Sequence, residues 1–355
     1  MSIETLPPTE RLGNIQSLRG LAALMVVFSH LLVMEGKYAT HGLLGAWAHL
    51  GLAGVDIFFA ISGFIMVYVS MRMDQGPKAW AEFLFARITR IYPLYWLISF
   101  AVLMVFLLRP DLVFSSVGGQ PDIIKSFLLW PENRPPLLIV GWTLIHEMGF
   151  YLVFALSLLF SRKYLLPFLL LWLALLTLGL FLGFNWHGPE LAILFSPLSY
   201  EFLAGALAGW LFVQVKGRAA RPALILGVIA FAFAGGLLIQ KGLAAFGQFG
   251  LRASLMAIPC ALLVYGLAGL RTPLPLTSQR LGDWSYALYL THVLSLSLLA
   301  RLIYPVLNFG TFGNVIALVL LTLFAVLISA LTHILFEAPM LAWAKALRRR
   351  LFGPA

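Results

Sequence analysis

Apolar residues fill this chain in stretches of about 20, separated by short breaks rich in charge, proline or glycine, with no strict apolar–polar alternation inside them. A run of that length crosses a hydrocarbon core of about 30 Å as a helix, and the missing alternation argues against barrel strands. Backbone polar groups in lipid must also be satisfied within the segment, which a helix achieves alone. Reading the runs between breaks predicts ten helices, near 17–35, 51–71, 91–108, 137–160, 164–184, 195–215, 222–240, 251–270, 284–306 and 313–336. The predicted fold is all-α, a polytopic transmembrane helix bundle. The longest polar gap, 109–135, carries an amphipathic piece of its own, IIKSFLLW, and leaves no room for a soluble domain. Residues 1–355 therefore read as one integral-membrane domain with a short basic tail over 340–355.

Composition sharpens this picture. Of 355 residues, 61% are hydrophobic and 11% charged, with a mean hydropathy of +0.94. A soluble domain carries about a quarter charged residues, so this chain needs another solvent. The single cysteine, Cys260, excludes an intramolecular disulfide and a Cys-based metal site, and no metal centre is expected. The net charge of +10 is spread between the spans and forms no continuous patch, which speaks for topology and against nucleic acid. With a cytoplasmic N-terminus, seventeen of the 24 Lys and Arg, from Arg11 to Arg350, fall on the cytoplasmic side and seven, Arg252 among them, on the other. That asymmetry places both termini in the cytoplasm. The first apolar run carries Arg19 and His30 and continues as a full span, unlike a cleavable signal peptide.

An ionised side chain at mid-membrane costs about 2.5–3.5 kcal/mol, so the polar residues within spans point to a bundle interior or a site. Eleven steps separate Arg19 from His30, which puts them within about 20° of one helix face and about 16 Å apart along the axis. Histidine titrates at about pH 6.5, so His30 is suited to general-base work; the structural alternative is a buried histidine satisfied by a neighbouring helix. Asp56, in GVDIFFAISGF, suits a helix cap, an interhelical hydrogen bond or a site. Thr143, Glu147 and Tyr151 make a polar stripe on an apolar helix, with Glu147 near the midplane and His146 about 100° away. Glu201 stands one turn inside its span, beside a G-x-x-x-G packing edge formed by Gly205 and Gly209. Ser285, Tyr289 and His292 share one face. Glu337 and Pro339, in FEAP, read as a helix terminus. On the cytoplasmic side, EFLFARITRIYPLYW places Arg87 and Arg90 one turn apart, a pair able to hold phosphates by forked, charge-assisted bonds or to serve as ordinary membrane anchors. Tyr92, Tyr95 and Trp96 read as an interfacial aromatic belt.

Together these pieces resemble the membrane-bound acyltransferase-3 family along essentially the whole chain. The matching segments are IQSLRGLAALMVVFSH (15–30), GVDIFFAISGFIM (54–66), RITRIYPLYW (87–96), GWTLIHEMGFY (141–151), SYEFLAG (199–205), LGDWSYALYLTH (281–292) and FEAP (336–339). The likeness is greatest to the branch that decorates bacterial exopolysaccharides. No hydrolase-like domain of the kind fused to some members follows Pro339, which implies transfer without a partner domain in cis. The resemblance implies a multi-pass protein of the bacterial inner membrane that transfers an acyl group, usually acetyl from acetyl-CoA, to a sugar hydroxyl. It implies His30 as catalytic base, Arg19 supporting it or the donor, Arg87 and Arg90 on the CoA phosphates, and Glu147 in the active-site pore. Acyl-CoA is then a donor substrate, with no tightly bound cofactor, and the acceptor a glycan or lipid-linked saccharide. Asp56, Glu201, Tyr151, Ser285, Tyr289 and His292 take supporting places, Asp56 or Glu201 as orienters of the imidazole. Composition alone fits two other classes: a proton-coupled transporter or flippase of a polysaccharide precursor, and an assembly scaffold. Transporters often carry two related halves, and no such repeat is visible.

Overall fold

The computed structural model describes residues 12–113, 120–307 and 309–353; Arg11 and residues 114–119 of the long polar gap lie outside them. Among the described residues the regular elements are helices, and ten are long and apolar enough to cross a membrane. These are α1 (Gly13–Tyr38), α2 (Gly54–Ser70, entered through a 3-10 segment Ala46–Ala53), α3 (Pro77–Leu108), α4 (Gly141–Leu156), α5 (Leu165–Phe181), α6 (Ser199–Val215), α7 (Ala220–Lys241), α8 (Phe249–Gly269), α9 (Ser285–Leu307) and α10 (Gly310–Thr332). Each predicted span has its counterpart. Large apolar side chains such as Phe181, Ile225, Ile229 and Phe233 stand exposed on these helices, a surface that lipid solvates and water does not. The chain is a multi-pass membrane protein.

It divides into two compact units, each made of two stretches of sequence: residues 1–69 with 200–333, and residues 70–199 with 334–355. In the first unit α1, α9 and α10 share a core in which Ala23, Val27 and Leu31 meet Leu288, Leu296, Ala300, Ala317, Leu321 and Ala325. Alanines in such a seam let backbones approach, and close packing holds helices together where lipid is as apolar as leucine. The contact of α2 with α6 is tighter still. A methyl group on Gly63 would run into the Phe202 carbonyl, and one on Gly205 into the Ala60 carbonyl, so the predicted glycine edge is a seam of touching backbones. Near the C-terminal end of α1 the buried Glu35 carboxylate accepts from Leu43 N (2.7 Å), Leu44 N (2.8 Å) and Asn314 Nδ2 (2.7 Å), tying the following link to α10.

In the second unit α3 contacts α4 and a terminal helix, α11 (Ala338–Phe352). Helix α3 is longer than its apolar run. It begins at Pro77, where a missing N–H costs nothing, and runs unbroken through the amphipathic arginine segment and past Pro93. Its aromatic residues do more than belt the interface. Tyr92 Oη, Tyr95 Oη and Trp96 Nε1 donate to the carbonyls of Leu128, Ser126 and Phe127 at 2.7, 2.7 and 2.8 Å, clasping the short helix Ile123–Leu128. That short helix is the IIKSFLLW piece. FEAP is a junction rather than a terminus: a π-helical turn over His333–Glu337 passes into α11, with Pro339 in its first turn. Most of the predicted tail is thus helix, and Arg348 on it lies 3.4 Å from Glu82 of α3.

The glycine seam carries a prediction. Gly205→Leu should destabilise the protein by at least roughly 1–3 kcal/mol, read as a lowered thermal midpoint of the detergent-purified protein, whereas Gly236→Leu, a position with open space around it, should leave the midpoint near wild type.

Candidate active site

Three clusters of polar side chains in the first unit contain predicted site residues. The first joins α1 and α9. His30 Nδ1 lies 2.8 Å from the Val26 carbonyl, and His292 Nδ1 lies 2.8 Å from the Tyr289 carbonyl and 3.2 Å from that of Leu288. A carbonyl only accepts, so each imidazole carries its hydrogen on Nδ1 and its lone pair on Nε2. The two rings meet edge to face, with centroids 4.7 Å apart, and the Tyr289 ring lies 5.9 Å from that of His292. His30 is half-buried and His292 fully buried. Ser285, two turns back along α9, is also fully buried, its Oγ without a hydrogen-bond partner among the described residues.

The second cluster joins α2, α6 and α8. Arg252 Nε donates to both oxygens of Asp56, at 2.8 and 2.9 Å, while its Nη1 and Nη2 donate to the carbonyls of Phe246 (3.2 Å) and Leu52 (3.3 Å). Asp56 and Glu201 are 0% exposed and Arg252 3%. Glu201 neighbours Asp56, yet its two oxygens find no donor among the described residues. Arg252, counted above as an outer-side topology charge, is therefore a buried ion-pair partner. Asp56 is committed to this guanidinium, and the orientation of His30 comes from its own helix carbonyl.

The third cluster sits at the other end of α1. Arg19 Nη1 donates to Gln16 Oε1 at 2.9 Å, and Gln16 Nε2 donates to Asp283 Oδ1 at 3.1 Å. Arg19 and His30 lie on one unbroken helix, α1, but the described contacts of their side chains belong to different neighbours.

In the second unit the Tyr151 hydroxyl donates to the Glu147 carboxylate one turn away on α4, as their spacing predicts. Thr143, the third member of the stripe, turns its hydroxyl to the Val140 carbonyl at 3.1 Å. Arg87 of α3 lies over the same tyrosine: its guanidinium carbon is 5.7 Å from the Tyr151 ring and 5.4 Å from the Phe83 ring. Its Nε is buried and has no hydrogen-bond partner among the described residues. Arg90 instead forms an ion pair with the buried Glu337, 2.7 Å from Nη1 to Oε1. The arginine pair thus divides, one member facing aromatic rings and the tyrosine that binds Glu147, the other facing the FEAP glutamate. Arg252, Glu35 and Asn314 were missed by sequence reasoning. Of these Arg252 had a signal, a charge in the first turn of an apolar run.

Ten apolar helices that carry buried carboxylates, histidines and arginines make this a multi-pass membrane protein with ionisable groups in its interior. Residues 12–334 match the family described as an acyltransferase domain, and the chain belongs to that family, the membrane-bound acyltransferases of type 3. It is 35% identical over 317 residues to the exopolysaccharide production protein ExoZ of Rhizobium meliloti (strain 1021), covering 84% of this chain and 92% of the relative. It is 29% identical over 332 residues to the acyltransferase MdmB of Streptomyces mycarofaciens, covering 81% and 79%. No solved structure matches the chain significantly.

The Asp56–Arg252 pair sets a stability test. Arg252→Gln strands a buried carboxylate and should cost about 3–5 kcal/mol. Adding Asp56→Asn should recover part of that loss, because both charges are then gone. Thermal midpoints of the single and double variants that simply add would show that the two residues do not act as a pair.

Proposed function

We propose that this protein is a transmembrane O-acyltransferase that moves an acetyl or other short acyl group from cytoplasmic acyl-CoA to a sugar hydroxyl of a bacterial exopolysaccharide or another envelope glycan. In this reading the chain lies in the cytoplasmic membrane with both termini inside, following its distribution of Lys and Arg. Membership of the acyltransferase family supports the reaction class. The likeness to a protein named for exopolysaccharide production supports the acceptor, free or lipid-linked.

The observation that carries the chemistry is the 2.8 Å contact of His30 Nδ1 with the Val26 carbonyl. With Nδ1–H bound to the Val26 carbonyl, Nε2 presents a lone pair on a half-buried ring, the arrangement a general base needs. As the acceptor oxygen bonds to the acyl carbon, its proton passes to His30 Nε2. The carbon–sulfur bond breaks, and the CoA thiolate leaves with that proton. Acyl-CoA is consumed as a substrate, and no tightly bound cofactor takes part. Guanidinium chemistry suits Arg87 and Arg90 to the donor's phosphates, with Arg19 in support. Glu147, held by Tyr151, is assigned to the reaction pore. Glu201, Ser285 and Tyr289 support the site, and Asp56 does so through Arg252.

Radiolabelled acetyl-CoA supplied to membranes containing the protein should place its label on envelope polysaccharide, where a transporter or scaffold would leave none. His30→Ala should remove that transfer by on the order of 10²- to 10⁴-fold, while the protein still inserts in membranes and purifies as a folded species. Labelled polysaccharide at the wild-type rate from His30→Ala would sink the assignment.

A further inference from the structure

We propose that His292 is the positioning partner of His30, its Nε2 lone pair stabilising the proton that His30 carries during acyl transfer. The inference rests on His30 acting as the base. It starts from an uneven distribution of partners. Both Nδ1 atoms are bound to helix carbonyls, so the hydrogen-bonding capacity left to each ring is a lone pair on Nε2. On His30 that lone pair is on the half-buried member of the pair. On the fully buried His292 it has no hydrogen-bond partner among the described residues, and a buried acceptor without a donor is costly. A side chain serving only to pack against Tyr289 and His30 would gain nothing from that nitrogen.

The neighbouring ring explains the nitrogen. With centroids 4.7 Å apart, the two imidazoles are in edge-to-face contact. While His30 is neutral, both Nδ1–H groups are taken by helix carbonyls and neither ring donates from Nε2. Once Nε2 of His30 takes the acceptor hydroxyl's proton, that ring becomes a cation next to an uncharged ring with an unused acceptor. The low-polarity surroundings make the attraction stronger than it would be in water. Two adjacent imidazolium ions would repel, so His292 stays neutral and the proton stays on His30 until the departing thiolate removes it. No bond to substrate and no net proton belongs to His292; it acts through His30.

The test uses the full-length protein in lipid nanodiscs, with radiolabelled acetyl-CoA as donor and the polysaccharide fraction of the producing cells as acceptor. His292→Ala should lower kcat on the order of 10²-fold with little change in KM for acetyl-CoA. Imidazole added to that variant should restore turnover, whereas pyrrole, a ring of the same shape with no in-plane lone pair, should not. A second pair removes dependence on a cavity: His292→Gln, which keeps an acceptor, should retain more of kcat than His292→Leu, with both variants compared as folded, monodisperse protein. Equal rates with imidazole and pyrrole together with equal rates for Gln and Leu would make His292 a packing residue and overturn the proposal. So would wild-type kcat in His292→Ala while His30→Ala is inactive, a result that spares the base assignment. Activity of His30→Ala itself would instead overturn the base assignment, and this inference with it.

Discussion

An ionised side chain in hydrocarbon has to bring its own counter-charge, and the Asp56–Arg252 pair is where this protein meets that demand most fully. Both groups are buried, and the guanidinium is shared between one carboxylate and the carbonyls of Phe246 and Leu52. Those bonds connect α2, α8 and the segments leading into them, so charge neutralisation and helix placement are one event. The tight backbone seam of Gly63 and Gly205 lies along the same α2. With its 3-10 entry segment, α2 is the most enclosed of the ten spans, 72% of its most apolar stretch being buried against 22% for α7. Helix α2 takes up the expensive polar groups and the closest packing together, while α7 turns apolar side chains toward lipid.

That division explains which parts of the architecture are legible in the sequence. All ten spans can be read because lipid imposes one rule on every crossing: some 20 apolar residues with their backbone satisfied internally. The rule is local. It fails at the ends of α3 and α10, where helix continues beyond the membrane-length run into amphipathic sequence. The 82–96 segment and FEAP look like boundaries by hydropathy, yet the backbone passes through both. Hydropathy records where lipid is; it does not record where a helix stops being helical.

The site shows the same limit at the level of partners. Pairs within one helical turn or two, such as Glu147 with Tyr151, follow from spacing. So does the glycine edge of α6, because G-x-x-x-G describes a surface. Asp56, however, meets Arg252 across 196 residues of sequence, and nothing near either residue names the other. Topology counting even places Arg252 in the opposite category, as a charge left outside. The division of Arg87 and Arg90 is equally hidden. Their i, i+3 spacing puts them on neighbouring faces of α3, but the rings of Phe83 and Tyr151 and the carboxylate of Glu337 decide that each answers to a different environment.

The histidines show how a membrane enzyme can orient an imidazole without the usual carboxylate. A carboxylate at His30 would bring a second buried charge needing its own neutralisation, and in this bundle Asp56 is already committed to a cation. Helix geometry offers a neutral substitute. A histidine side chain leans back toward the preceding turn, where a carbonyl four residues earlier can take Nδ1–H as well as its own helical N–H. His30 uses Val26 and His146 uses Trp142 in this way, at 2.8 and 2.9 Å, while His292 uses Tyr289 and Leu288. The bond adds no charge and fixes ring and tautomer at once. It also turns Nε2, the far edge of each ring, away from that carbonyl. For His146 the neighbouring ring is Trp142, on its own helix. For His30 it is a second imidazole from another helix, so two histidines bound to their own turns in the same way differ in whether the adjoining ring can itself take up a proton.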